Sequence, residues 1–81
     1  MPTIFRTREG WSVRIYLNDH RPPHVHVVSR ESEARFGLLC DIGRVRLIEN
    51  FGFSRAQLGS LAEQLSTHIE LLCERWTDIH G

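Results

Sequence analysis

Eighty-one residues, of which 41% are hydrophobic and 25% charged, suffice for one small domain with a thin core. No run of about 18 apolar residues is present, so a transmembrane helix is excluded. Ten arginines balance ten acids to a formal charge of zero, yet residues 1–46 hold eight arginines against five acids (net +3) and residues 47–81 hold two against five (net −3), so two oppositely charged halves present different fields to partners.

The opening "MPTIFRTREG" lacks a signal-peptide hydrophobic region, and a soluble cytoplasmic protein with no membrane association is expected. "PTIFR" reads as a short strand. After a turn at Glu9-Gly10, "WSVRIYL" alternates: Trp11, Val13, Ile15 and Leu17 share one face, while Ser12, Arg14 and Tyr16 share the other. "DHRPPHVHV" follows, with Asp19 suited to capping a turn and Pro22-Pro23 stiffening the chain as polyproline II. "HVHVV" then alternates again, with Val25 and Val27 opposite His24 and His26. "EARFGLL" sets Ala34, Phe36 and Leu38 against Arg35, Gly37 and Leu39, and "RVRLI" sets Val45 and Leu47 against Arg44, Arg46 and Ile48. Short polar turns join these runs, which predicts an antiparallel meander.

From Ser54 the period changes. Ser54 and Gln57 form a capping box, and Leu58, Ala62, Leu65, Ile69, Leu72, Trp76 and Ile79 repeat at alternating steps of four and three. The expectation is a single α+β domain over residues 1–81. Residues 1–48 form an antiparallel sheet of four or five strands, and one long C-terminal helix over residues 54–80 packs on one face. A straight helix of that length spans roughly 39 Å, whereas a seven-residue strand spans about 23 Å. The helix must therefore break, near Gly59-Ser60 or Ser66-Thr67, or its overhang must pack on a second copy or a partner. The second outcome is the expectation, and with it a homo-oligomer. Cys40 and Cys73 are far apart and outside any C-x-x-C spacing, and are expected to be buried thiols rather than a disulfide.

Packing the helix on the valine face leaves Arg14, Tyr16, His24, His26, Arg35, Arg44 and Arg46 together on the other. A bulge in any strand would move its members across. The stretches "MPTIFR", "NDHRPPHVHV", "EARFGLL" and "NFGFSRAQL", with a helix ending "ERWTDIHG", resemble the small bacterial family known as domain of unknown function 4160. The likeness spans essentially the whole chain, and "DHRPPHVHV" is its specific part. The loop Arg30–Glu33, which lacks the glycines many members show, and the segment Cys40–Arg44 depart from the family pattern. The resemblance implies a short bacterial protein often encoded beside a second small protein in toxin–antitoxin-like pairs, and places Asp19, His20, Pro22, Pro23, His24 and His26 in the signature.

Three functions compete with a plain wet surface. The first is action on RNA, with His24 and His26 as acid and base, Arg14 and Tyr16 beside them as further candidate catalytic groups, and Asp19, His20, Arg35 and Arg46 as binding residues. The second is a non-catalytic, antitoxin-like partner that dimerises through its helix and docks the cognate protein encoded nearby. The third is metal binding by His24 and His26, with Asp19 or His20 as a further ligand and His68 and His80 approaching from the helix. A structural zinc site wants four ligands, usually with cysteine, so no residue is assigned as a metal ligand and no cofactor is expected. The first reading is taken as the expectation, and whether the protein is an enzyme is left open.

Overall fold

The strands end where side chains take over the backbone's hydrogen bonds. The computed structural model describes residues 3–81. It contains β1 (Thr3–Arg6), β2 (Ser12–Arg14), β3 (His24–Val28), β4 (Glu33–Leu39) and β5 (Arg44–Phe51), then α1 (Arg55–Thr67) and α2 (Ile69–His80). The five strands form one antiparallel sheet in chain order. No helix among the described residues is long and apolar enough to cross a membrane.

β2 is shorter than the alternation of "WSVRIYL" predicts. The Tyr16 amide donates to Asp19 Oδ2 (2.9 Å), and the Asp19 amide donates to Tyr16 O (3.1 Å). This closed turn withdraws the backbone from the ladder. Ile15 stays fully buried, but Leu17 is 76% exposed and leaves the predicted core. β5 is longer than "RVRLI" because β4 offers partners as far as Glu33, which lies opposite Phe51. A bulge also interrupts that pair: Arg35 faces Glu49 and Phe36 faces Leu47, so Ile48 is the extra residue. It leaves two neighbours on the open side of the sheet. Glu49 Oε1 meets Arg35 Nη2 at 2.9 Å, and Ile48 Cδ1 lies 3.3 Å from where a Cβ on Gly37 would stand.

The register carries the apolar pattern across the strands. Val13 faces Val27, Val27 faces Ala34, and Val25 faces Phe36. These residues, with Ile15 and Leu38, are buried under Phe53, Leu61, Leu65, Leu72 and Trp76. Trp11 is half-buried and tilts against Phe53 at 4.8 Å. At the sheet-to-helix corner Gly52 has φ +99°, and a Cβ there would sit 2.6 Å from Ser32 Oγ. Both the backbone angle and the close approach require glycine.

The helical region divides in two, which corrects the expected single helix and its overhang. The predicted capping box is present: the Gln57 amide donates to Ser54 Oγ (3.1 Å) and the Ser54 amide to Gln57 Oε1 (2.8 Å). The helix stops at His68 (φ −107°, ψ 21°), whose amide donates to Leu65 O and Ser66 O. Thr67 Oγ1 donates to Glu63 O (3.0 Å) and His68 Nδ1 to Gln64 O (2.9 Å). These side-chain bonds to carbonyls one turn back compete with the helical ladder at the break. The molecule's longest extent is 32 Å, shorter than the roughly 39 Å of an unbroken helix. Leu72 and Trp76 of α2 are buried in the core, so the overhang that argued for a helix-mediated dimer does not exist.

Cys40 and Cys73 are also corrected. They form a disulfide, with Cα atoms 6.0 Å apart, tying the end of β4 to α2. Sequence spacing concealed this because the meander and the helix break bring together residues 33 positions apart. Closing a loop of that length stabilises a chain by roughly 4 kcal/mol through the unfolded state. Reduction, or the Cys40→Ser/Cys73→Ser double variant, is therefore expected to lower the melting temperature by on the order of 20 °C. Thermal unfolding with and without reductant measures this, and coincident curves would refute it.

Glu9 pins the β1–β2 turn to α1. Its Oε1 accepts from Gln64 Nε2 (3.0 Å) and its Oε2 from Ser60 Oγ (3.1 Å). The Gln64 bond leads the causes that hold its carboxyl at about 2, outweighing the upward push of desolvation. The folded value lies below the unfolded one, so the stabilisation is complete above the ordinary carboxylate range and is lost as pH falls toward about 2. Because Glu9 is exposed, solvent screening keeps the effect small. Between pH 5 and 2 the wild type should lose about 2–4 °C more in melting temperature than Glu9→Gln does. Parallel pH profiles would contradict this account.

Candidate functional site

Alternation along β3 sends Val25 and Val27 into the core and turns His24 and His26 to the opposite side of the sheet. The Tyr16–Asp19 turn then swings the Asp19 carboxylate over both rings. Asp19 Oδ1 lies 3.1 Å from His26 Nε2 and 3.5 Å from His24 Nε2. Asp19 Oδ2 is held by the Tyr16 amide. Burial pushes the Asp19 carboxyl up, but the Tyr16 N–H and the two histidines more than reverse this and hold it below the usual range. The three side chains are about nine-tenths shielded from solvent.

Each ring is also oriented from its other side. His24 Nδ1–H donates to Pro22 O (2.9 Å), because a carbonyl can only accept. The Arg21–Pro22 peptide bond that leads into this carbonyl is cis. His26 Nδ1 stands 3.6 Å from Glu33 Oε2. The rings meet edge to face at 5.2 Å, and Tyr16 meets His26 in the same way at 4.6 Å. Register places Arg14 and Arg35 on either side of His26, on β2 and β4. Arg14 Nη1 reaches the Tyr16 hydroxyl at 3.5 Å. The Nε atoms of Arg14 and Arg35 are shielded from solvent and have no hydrogen-bond partner among the described residues.

Asp19 and His24 form one wall of a cleft of about 400 Å³, completed by Asn18, His20, Arg21, Pro22, Arg35, Arg46 and Ile48. Arg46 enters no ion pair among the described residues, whereas Arg35 is shared with Glu49 and Arg21 Nη2 donates to Gly81 O (2.9 Å). A larger groove of about 780 Å³ lies beside the β1–β2 turn, with Arg6, Trp11, Arg14 and Arg30 in its walls.

The sequence-predicted residues thus fall into two sets. Asp19, His24, His26, Tyr16 and Arg14 form one connected cluster, and His20, Arg35 and Arg46 share the adjoining cleft. Arg44 pairs with Leu39 at the far end of β4 and does not line the cleft. His68 and His80 do not approach the cluster's carboxylate. His68 packs on Phe5 at 4.5 Å, and His80 Nε2 donates to Tyr16 O at 3.1 Å.

Sequence reasoning missed the support from α2. Trp76 packs on His24 (5.3 Å) and His80 (4.1 Å), and the His80 and Arg21 bonds fasten the end of α2 to the signature loop. The same reasoning read Trp76 as core, and the heptad gave no sign of its second neighbour. It also missed Glu33 at the start of β4, which an exposed acid in a strand does not reveal.

No solved structure and no curated protein matches the chain. Residues 10–77, which span the signature loop, the sheet from β2 onward and most of α2, match the family described as Domain of unknown function (DUF4160), and the chain belongs to that family.

Proposed function

We propose that the domain is a component of a bacterial toxin–antitoxin-like module that acts on RNA through the histidine- and arginine-lined side of its sheet. The observation that carries this reading is the cleft's composition: the guanidiniums of Arg21, Arg35 and Arg46 and the imidazoles of His20 and His24 surround a space with one carboxylate, Asp19. Guanidinium matches a phosphate's geometry through paired N–H donors, and a concave basic lining concentrates polyanions. A second groove, whose wall holds Arg6, Arg14 and Arg30 with Glu9 and Glu31, adds the aromatic face of Trp11 for a base. A cytoplasmic setting and a cognate small protein encoded nearby belong to the same reading.

His24 and His26 are less suited to a free acid–base pair than alternation alone suggests. Both Nε2 atoms are directed at the same Asp19 oxygen rather than at separate points on a substrate. Their removal is still the test of chemistry. The expected results are salt-dependent binding of single-stranded RNA, weakened about tenfold by Arg46→Gln and by Arg35→Gln, with the salt slope reduced by about one ion for each. Arg55→Gln, on α1, should leave binding unchanged. Cleavage by the wild type should be lost in His24→Ala and His26→Ala. Equal, salt-insensitive binding by all variants would sink the reading.

A second reading has its own support. β5 is an eight-residue edge strand on which Leu47 (43% exposed), Ile48 (39%) and Phe51 (65%) meet solvent. Long apolar edges template further pairing. Antiparallel pairing with a second copy, centred between Leu47 and Ile48, would set Arg46 opposite Glu49 of the partner strand and give charge complementarity. Light scattering at micromolar concentration should then report a dimer for the wild type and a monomer for Leu47→Lys. A monomeric wild type would remove this reading.

A further inference from the structure

The convergence of Asp19, His24 and His26 has a chemical consequence independent of what the cleft binds. With Nδ1–H donated to Pro22 O, a neutral His24 carries its lone pair on Nε2. That lone pair faces Asp19 Oδ1 at 3.5 Å, and His26 Nε2 stands 3.1 Å from the same oxygen. A neutral His26 can donate Nε2–H to Asp19 Oδ1, but the His24 lone pair then stays directed at the carboxylate, in side chains only 9–13% exposed. A cation shared by all three atoms satisfies them together.

The spacing fits such a cation. Ligands about 2.0–2.1 Å from a tetrahedral ion stand about 3.3 Å from one another. The observed 3.1 and 3.5 Å bracket that separation, and the three residues offer ligand atoms that all lie within 4.8 Å of one another. The outer contacts fit as well. Metal-binding histidines commonly donate their second nitrogen to a carbonyl or a carboxylate. His24 does so to Pro22 O, His26 Nδ1 faces Glu33, and Asp19 is fixed by the Tyr16 amide. Two imidazoles and one carboxylate select a borderline transition ion over Mg²⁺ or Ca²⁺, which take oxygen ligands. Cys40 and Cys73 are bonded to each other and supply no competing thiolate.

We propose that Asp19 Oδ1, His24 Nε2 and His26 Nε2 bind one divalent transition-metal ion of the Zn²⁺ class, with its remaining coordination positions open to the arginine-lined cleft. Three protein ligands and an open position characterise zinc sites that also bind an exogenous oxygen donor. An anion in the cleft would meet the ion as well as Arg46.

The test uses the full untagged chain with its disulfide intact, stripped by a chelator and titrated with Zn²⁺ in a calorimeter and with Co²⁺ in an absorption cell. One ion per chain should bind, and His24→Ala, His26→Ala and Asp19→Asn should each weaken binding at least about tenfold, while His68→Ala should not. Nitrogen-15 spectra of the wild-type imidazoles keep the proposal testable if a variant fails to fold. Zn²⁺ should move the Nε2 resonances of His24 and His26 and leave those of His68 and His80 in place. Unmoved Nε2 resonances, or no saturable binding below about 100 μM, would overturn the site. Metal binding by a chain that ignores RNA would preserve the site and remove the RNA reading. RNA binding with no metal bound would do the reverse.

Discussion

β3 is the strand on which the rest of the molecule depends, because both of its faces are spoken for. Val25 and Val27 are fully buried under the helices, and His24 and His26 are enclosed by Asp19 and Tyr16 on the other side, with Trp76 of α2 reaching the His24 ring. A one-residue slip would exchange the two sets, pushing imidazoles into the core and valines under a carboxylate. The hydrophobic demand on one face therefore fixes the chemistry on the other. Arg14 and Arg35 then flank His26 because the strands that carry them are registered by the same valines and Phe36.

Around that strand, the Asp19 turn and the end of α2 complete the enclosure. Asp19 shortens β2 by taking its next amide, and the same carboxylate gathers the histidines. The helix break at His68 lets Trp76 and His80 come down on the signature loop, with His80 bonded to Tyr16 O and Trp76 against His24. The Cys40–Cys73 bond fastens that second helix to β4. Loop, helix break and cross-link thus act on one place, and the cluster rests on ordered elements although Asp19 comes from a turn.

Charge is arranged to match. The arginines predicted to crowd the open side are there, but they are not equivalent. Arg35 is engaged by Glu49, Arg21 by a backbone carbonyl, and Arg46 stands free of ion pairs among the described residues. The bulge at Ile48 produces part of this difference, because it turns Glu49 toward Arg35 and places an apolar side chain beside the cleft.

By itself the sequence determined the meander, the inward valines, the capped start of the first helix and the membership of His24, His26, Arg14, Arg35 and Arg46 in one side of the sheet. Period-two alternation and a capping box are local patterns, and local sterics enforce them. Tertiary structure decided the rest. Neither the pairing of Cys40 with Cys73, nor the bulge, nor the break at His68, nor the approach of Trp76 and His80 to the signature loop follows from spacing, because each depends on where distant segments cross. Most of all, the meeting of Asp19 Oδ1 with two Nε2 atoms required a turn that bends back over its neighbouring strand. Sequence placed those residues within eight positions of one another; only the folded chain aimed their polar atoms at one point.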